Sequence, residues 1–177
     1  MSIAELNELP APAARRALTD CCTAQRWIDE IVSGRGYASI DELLARSDSA
    51  VDELTAEQLD EALAGHPRIG DRRAASTPGW SAHEQAGVSS AGAELEVALA
   101  DGNAEYERRF GHIYLVCATG KSGQELLAIL RERLGNDRDT EWKVVAAELA
   151  KINRLRLRKL LGTGVSRERT RDLGGSA

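Results

Sequence analysis

Apolar residues return at three- and four-residue steps along most of this chain, so the pattern predicts helix almost everywhere. Ile3-Ala4-Glu5-Leu6-Asn7 reads as a short helical turn stopped by Pro10. From Ala11 onward, Ala14, Ala17, Leu18, Cys21, Ala24, Ile28, Ile31 and Val32 form one apolar stripe. It predicts a single amphipathic helix that the segment from Gly34 to Gly36 ends. Four pairs carry capping-box spacing, in which each side chain satisfies the other's free backbone N–H: Ser39 with Glu42, Thr55 with Gln58, Ser81 with Glu84, and Ser122 with Glu125. They open helices through Leu43 and Leu44, through Leu59 to Leu63 (terminated by Gly65), through Gln85 and Ala86, and through Leu126 to Leu134 (closed by Gly135-Asn136). A polar loop fills 71–80. Ala91 to Ala100 and Ala104 to Phe110 read as two helical pieces divided at Asp101-Gly102-Asn103, and a long last helix runs from about Thr140 to Leu161.

His112 to Ala118 is the most strand-like stretch. It is short and has no partner of similar character, so it predicts a buried extended segment or a helix start, not a sheet. Beyond Gly162 the Gly-, Ser- and Arg-rich tail lacks any apolar period. The predicted architecture is all-α: one helical bundle of about seven to nine helices over residues 1–162, with a disordered tail at 163–177.

Composition supports helix. Hydrophobic residues make up 42% and aromatics only 4%, so the core is built from Ala, Leu, Ile and Val. A net charge of -5 works against polyanion binding, and the basic run Lys151 to Lys159 has no interleaved aromatics. Its charges read instead as a solvated face or as partners of the helix dipole. Cys21, Cys22 and Cys117 form no CxxC pair, which argues against a zinc site and a disulfide framework and suits a reducing cytoplasm. The first two read as small core fillers. No basic start or long apolar run suggests a signal or membrane span.

Few residues are left to carry chemistry. Of three histidines, His66 stands out, because Gly65 and Pro67 flank it just beyond a predicted helix C-terminus. A rigidly held imidazole there, protonated with the help of the helix end, suits a general acid. A lone histidine is otherwise an ordinary surface or hydrogen-bonded residue. Glu84 has a bland account too, as the carboxylate half of the Ser81 capping box. Arg154 belongs to the basic run. Gly120-Lys121-Ser122 imitates a phosphate loop, but Leu115 stands where the motif needs glycine. No GxGxxG, HExxH or carboxylate cluster points to a cofactor or metal.

An ordered set of segments resembles one family, the 2-oxo-4-hydroxy-4-carboxy-5-ureidoimidazoline (OHCU) decarboxylases. The set comprises Leu6-Asn7-Glu8-Leu9-Pro10, Gly65-His66-Pro67-Arg68-Ile69-Gly70, Ser81-Ala82-His83-Glu84-Gln85-Ala86-Gly87, Tyr106-Glu107-Arg108-Arg109-Phe110-Gly111, Tyr114-Leu115-Val116-Cys117-Ala118 and Ile152-Asn153-Arg154-Leu155. The resemblance implies a homodimeric, all-helical, cofactor-independent carboxy-lyase that forms (S)-allantoin in urate breakdown. By position it makes His66 the proton donor, Glu84 its catalytic partner and Arg154 a substrate-binding residue. Pro67, Ser81, Gln85 and the backbone of Leu115, Val116, Cys117 and Ala118 would line the pocket, with no metal and no role for nucleic acid or membrane. The rival readings are a hydrolase acting on a related ureide and a non-catalytic helical interaction domain.

Overall fold

Side-chain hydroxyls start the helices close to where their spacing placed them. The protein, seen in a computed structural model that describes residues 1–69 and 92–162, has eight helices and no strand among those residues. They are α1 (Ile3–Glu8), α2 (Ala11–Thr19), α3 (Gln25–Ser33), α4 (Ile40–Asp52), α5 (Ala56–Ala64), α6 (Ala93–Phe110), α7 (Gly123–Arg133) and α8 (Arg138–Leu160). Thr55 and Ser122 complete the expected capping boxes, and Ser2 completes one that opens α1. Ser39 makes only the hydroxyl half, accepting from the Glu42 N–H at 3.2 Å, while the Glu42 carboxylate reaches the Ala38 N–H at 2.7 Å. The loop at 71–80, the Ser81–Glu84 box with its helix, and the tail after Gly162 lie outside the described residues.

The structure departs from the periodicity in two places. The stripe from Ala14 to Val32 is two helices, because the chain leaves α2 after Thr19 and re-enters helix only at Gln25. In between, Cys21 and Cys22 are buried, and the Thr23 hydroxyl donates to the Glu61 and Ala62 carbonyls at 2.8 and 3.2 Å. These tertiary bonds outweigh the weak helix preference of Cys-Cys-Thr. Burial also pushes the Cys22 thiol up to about 11, as befits an inert filler.

Gly102 does not divide a helix, since α6 runs through it unbroken. A Cβ there would lie 2.7 Å from Leu130 Cδ2, so the glycine lets α6 approach α7 closely. The buried Asn103 beside it donates its Nδ2 to the Ile69 carbonyl at 2.9 Å.

Residues 113–118 form neither helix nor strand, have no strand partner among the described residues, and are buried except for the half-buried Ile113. Their side chains alternate between two cores. Leu115 and Cys117 join the cluster built by α1 to α5 with α8, while Tyr114, Val116 and Ala118 join the cluster of α6 and α7. This one segment therefore separates both cores. A buried polar network fixes it from one side: Arg133 bonds Glu141 at 2.8 Å (Nε) and 2.5 Å (Nη2), and gives its Nη1 to the Leu115 carbonyl at 2.6 Å. The hydroxyl of Tyr106 and the Asn136 amide complete the bonding of Glu141.

Candidate active site

The described chain forms a pocket where three elements meet. His66, Pro67 and Ile69 follow α5, the extended backbone from Tyr114 to Thr119 forms a wall, and Ile152 with Leu155 comes from α8. Of the expected site residues, His66, Pro67, Leu115, Val116, Cys117 and Ala118 are thus brought together. Ser81, Glu84 and Gln85 lie outside the described residues, as does His83.

Local bonds hold His66 in place. Its N–H closes the end of α5 on the Leu63 carbonyl at 2.9 Å. Gly65 allows α5 to seat against Thr23: a Cβ would meet both Thr23 γ atoms at 2.7 Å, and Thr23 cannot turn away without losing its bonds to α5. Gly65→Ala is therefore expected to lower stability by about 1–3 kcal/mol through overpacking. A urea-unfolding midpoint equal to wild type would contradict this use of the glycine. Beyond His66, two residues one turn apart on α6 pin the segment. Asn103 holds the Ile69 carbonyl, and Glu107 makes a two-point bond to Arg68 at 2.5 and 2.8 Å.

The imidazole Nε2 of His66 is shut off from solvent and has no hydrogen-bond partner among the described residues. Burial, reinforced by the Arg156 charge, pushes its pKa down to about 3, so the resting ring is neutral. This corrects the expected imidazolium. A helix terminus supplies at most ~2 kcal/mol, whereas desolvation of a buried group reaches ~3–5 pKa units. A buried polar atom without a partner is costly, and native proteins keep few of them.

Arg154, expected to bind substrate, has its guanidinium held by the Asp48 carboxylate of α4, with Nε at 2.8 and 3.0 Å from the two oxygens; neither it nor Arg156 is among the described residues that line the pocket. The neighbouring cations are also engaged, Lys151 with Glu148 and Arg158 with Asp41. The basic run is therefore mostly a set of intramolecular pairs. Arg156 is the cation that acts on His66. It is buried, donates to the Cys21 carbonyl at 3.2 Å, and depresses the His66 pKa. The sequence carries a signal for it. Leu149, Ile152 and Arg156 follow helical spacing on one buried row, so a charge interrupts an apolar stripe. His112 is a core residue, its ring 4.4 Å from that of Trp142 and packed against Tyr106.

No group of His, Cys, Asp and Glu among the described residues is arranged to hold a metal, and no helix there is long and apolar enough to cross a membrane.

Residues 7–158 match the family described as OHCU decarboxylase. The chain is 31% identical over 133 residues to the 2-oxo-4-hydroxy-4-carboxy-5-ureidoimidazoline decarboxylase of Amia calva, covering 73% of this chain and 76% of that one. It is 29% identical over 147 residues to the uric acid degradation bifunctional protein TTL of Arabidopsis thaliana, a match that takes in 79% of this chain but 45% of that protein. The chain thus spans less than half of that bifunctional relative. A crystal structure of OHCU decarboxylase in the presence of (S)-allantoin superposes with a TM-score of 0.71 at 28% identity, covering 82% of this chain and 96% of that one. On this match of sequence and fold, the chain belongs to the OHCU decarboxylase family.

Proposed function

We propose that this protein decarboxylates OHCU to (S)-allantoin in urate degradation, without a cofactor, as a cytoplasmic homodimer. The observation that carries the activity is the buried Nε2 of His66, without a partner among the described residues, in a pocket walled by the backbone of 114–119. Two further observations support it: the family match and the relative crystallised in the presence of (S)-allantoin. The dimer rests on the family resemblance, and the cytoplasm on three buried thiols suited to a reducing compartment.

The substrate carries its own electron sink, a ring C=N bond. As the bond to the carboxylate breaks and carbon dioxide leaves, its electron pair forms a double bond to the neighbouring ring carbon, and the C=N pair moves onto nitrogen, which takes a proton from water. The resulting enol then loses its hydroxyl proton to become a carbonyl, and the carbon bearing the ureido group gains a proton. No borrowed cofactor is needed to hold the electrons. A neutral His66 suits this order of events. It takes the hydroxyl proton through Nε2 and returns it to one face of the ring, which sets the (S) configuration. Glu84 orients the imidazole or holds the substrate hydroxyl. Arg156, in place of Arg154, offsets the substrate's negative charge.

The direct test supplies freshly generated OHCU to the purified protein and follows carbon dioxide and optical rotation. Carbon dioxide with optically active allantoin supports the lyase, whereas ammonia or urea would indicate a ureide hydrolase. Substitution separates the two arginines. Arg156→Met is expected to lower kcat/KM by roughly 10–100-fold, the loss of one charge-assisted contact. Arg154→Met, which breaks only a partly exposed pair with Asp48, should change stability by about 1 kcal/mol or less and leave turnover near wild type. The reverse ranking in steady-state kinetics would restore Arg154 to the site.

A further inference from the structure

We propose that Glu148 is a positioning residue, which with Lys121 clamps the Cys117 peptide and so holds the pocket wall in a shape that can read the substrate. The proposal rests on the reading of this pocket as the OHCU site.

An isolated extended segment has two edges of backbone donors and acceptors, and a neighbouring strand normally satisfies one of them. Here side chains replace that strand. In extended chain the N–H and C=O of one residue point to the same edge, and those of the next residue to the other. Leu115 and Cys117 share an edge, and three charged side chains bond to it. Arg133 gives a proton to the Leu115 carbonyl at 2.6 Å, the Glu148 carboxylate accepts from the Cys117 N–H at 2.7 Å, and Lys121 Nζ donates to the Cys117 carbonyl at 2.7 Å. Val116 belongs to the opposite edge, and neither its N–H nor its C=O has a hydrogen-bond partner among the described residues. The clamped edge leaves the other edge without a partner among the described residues, and Val116 lines the pocket.

Glu148 is well placed for this work. It projects from α8 one turn before Ile152, which lines the same pocket, and Lys151 holds its second oxygen at 2.6 Å. The carboxylate therefore spans α8 and the wall, joining two of the three elements that shape the site. A ureido group, with its own row of donors and acceptors, needs a backbone edge whose spacing does not drift.

Four variants, Glu148→Ala, Glu148→Gln, Lys151→Met and Lys121→Met, are compared with wild type by amide hydrogen exchange over 115–118, by kcat and KM for OHCU, and by calorimetric binding of (S)-allantoin. Glu148→Ala is expected to speed exchange at Cys117 and to raise both KM and the allantoin Kd by roughly tenfold, with a much smaller change in kcat. Glu148→Gln, whose amide oxygen still accepts from the Cys117 N–H, should recover most of the loss. Lys151→Met, which frees only the second carboxylate oxygen, should move exchange and KM in the same direction but by much less. Lys121→Met, which frees the other backbone group of the same residue, should shift KM in the same direction and keeps the test alive should Glu148→Ala fold poorly. Wild-type exchange at Cys117 in Glu148→Ala, a glutamine variant as impaired as the alanine one, or an unchanged KM in Lys121→Met would overturn the proposal. A wild-type protein that releases no carbon dioxide would instead defeat the functional reading, and the exchange rates would still judge the clamp.

Discussion

His66→Asn is expected to lower the rate of OHCU decarboxylation by roughly 10²–10⁴-fold, the usual contribution of one positioned proton-transfer group. His66→Leu, which leaves no polar atom in the place of Nε2, should lose as much activity yet be no less stable than wild type. Nε2 of His66 is buried without a partner among the described residues, so its removal takes away an uncompensated desolvation cost. Activity and stability therefore move in opposite directions, which a merely structural histidine would not do. The pH dependence gives a second signature. His66 has a folded pKa lowered from 6.5 to about 3, so between those values the unfolded chain binds a proton that the folded protein refuses. The stability this supplies is fully present above pH 6.5 and is lost as pH falls toward 3. In His66→Asn that part of the slope should vanish. Urea unfolding across the window, beside steady-state turnover, checks both halves; a variant that keeps full activity removes His66 from the chemistry.

Arg133→Met carries the largest expected effect on folding, a loss of about 3–5 kcal/mol. Both members of the Arg133–Glu141 pair are buried, Glu141 completely so. Removing the guanidinium strands a carboxylate that keeps only neutral donors, the hydroxyl of Tyr106 and the amide of Asn136. It also frees the Leu115 carbonyl in the pocket wall. Against a typical total of ~5–15 kcal/mol, this is a fifth or more of the stability of an ordinary domain. Replacing both partners, as in Arg133→Met with Glu141→Leu, should recover much of the loss, because the pair's attraction and its desolvation nearly cancel. The urea midpoint should fall in the single variant and rise again in the double one. A single variant within about 1 kcal/mol of wild type would mean that the pair is not buried as described.

Local signals in the sequence proved the most legible. Thr55 with Gln58 and Ser122 with Glu125 cap helices because a cap needs only residues within one turn. The lone strand-like stretch at 112–118 was also legible, since no second such stretch existed to pair with it. What holds that stretch was not. Arg133, Glu148 and Lys121 reach it from other elements, and no periodicity records such a reach. Gly102 shows the same limit. A glycine beside an aspartate and an asparagine reads as a break, yet its purpose is a close approach to Leu130 that only the folded chain reveals.

Within the site, motif order located His66 and Pro67 and the wall from Leu115 to Ala118, all of which line one pocket. The burial of the two arginines and the charge state of His66 were harder to read. Arg154 and Arg156 sit two residues apart, and a motif alone does not say which one is buried. The row of Leu149, Ile152 and Arg156 does. The charge state depends on desolvation, which burial decides and flanking residues do not.

Nitrogen NMR of the histidine rings, followed while (S)-allantoin is added, tests the central claim most directly. The account predicts that His66 is neutral at pH 7 before ligand is added, and that its Nε2 signal moves as the ring gains a hydrogen-bond partner, while His112 stays fixed in its aromatic packing. A His66 signal that ignores saturating allantoin, or that titrates near the ordinary histidine pKa, would contradict it.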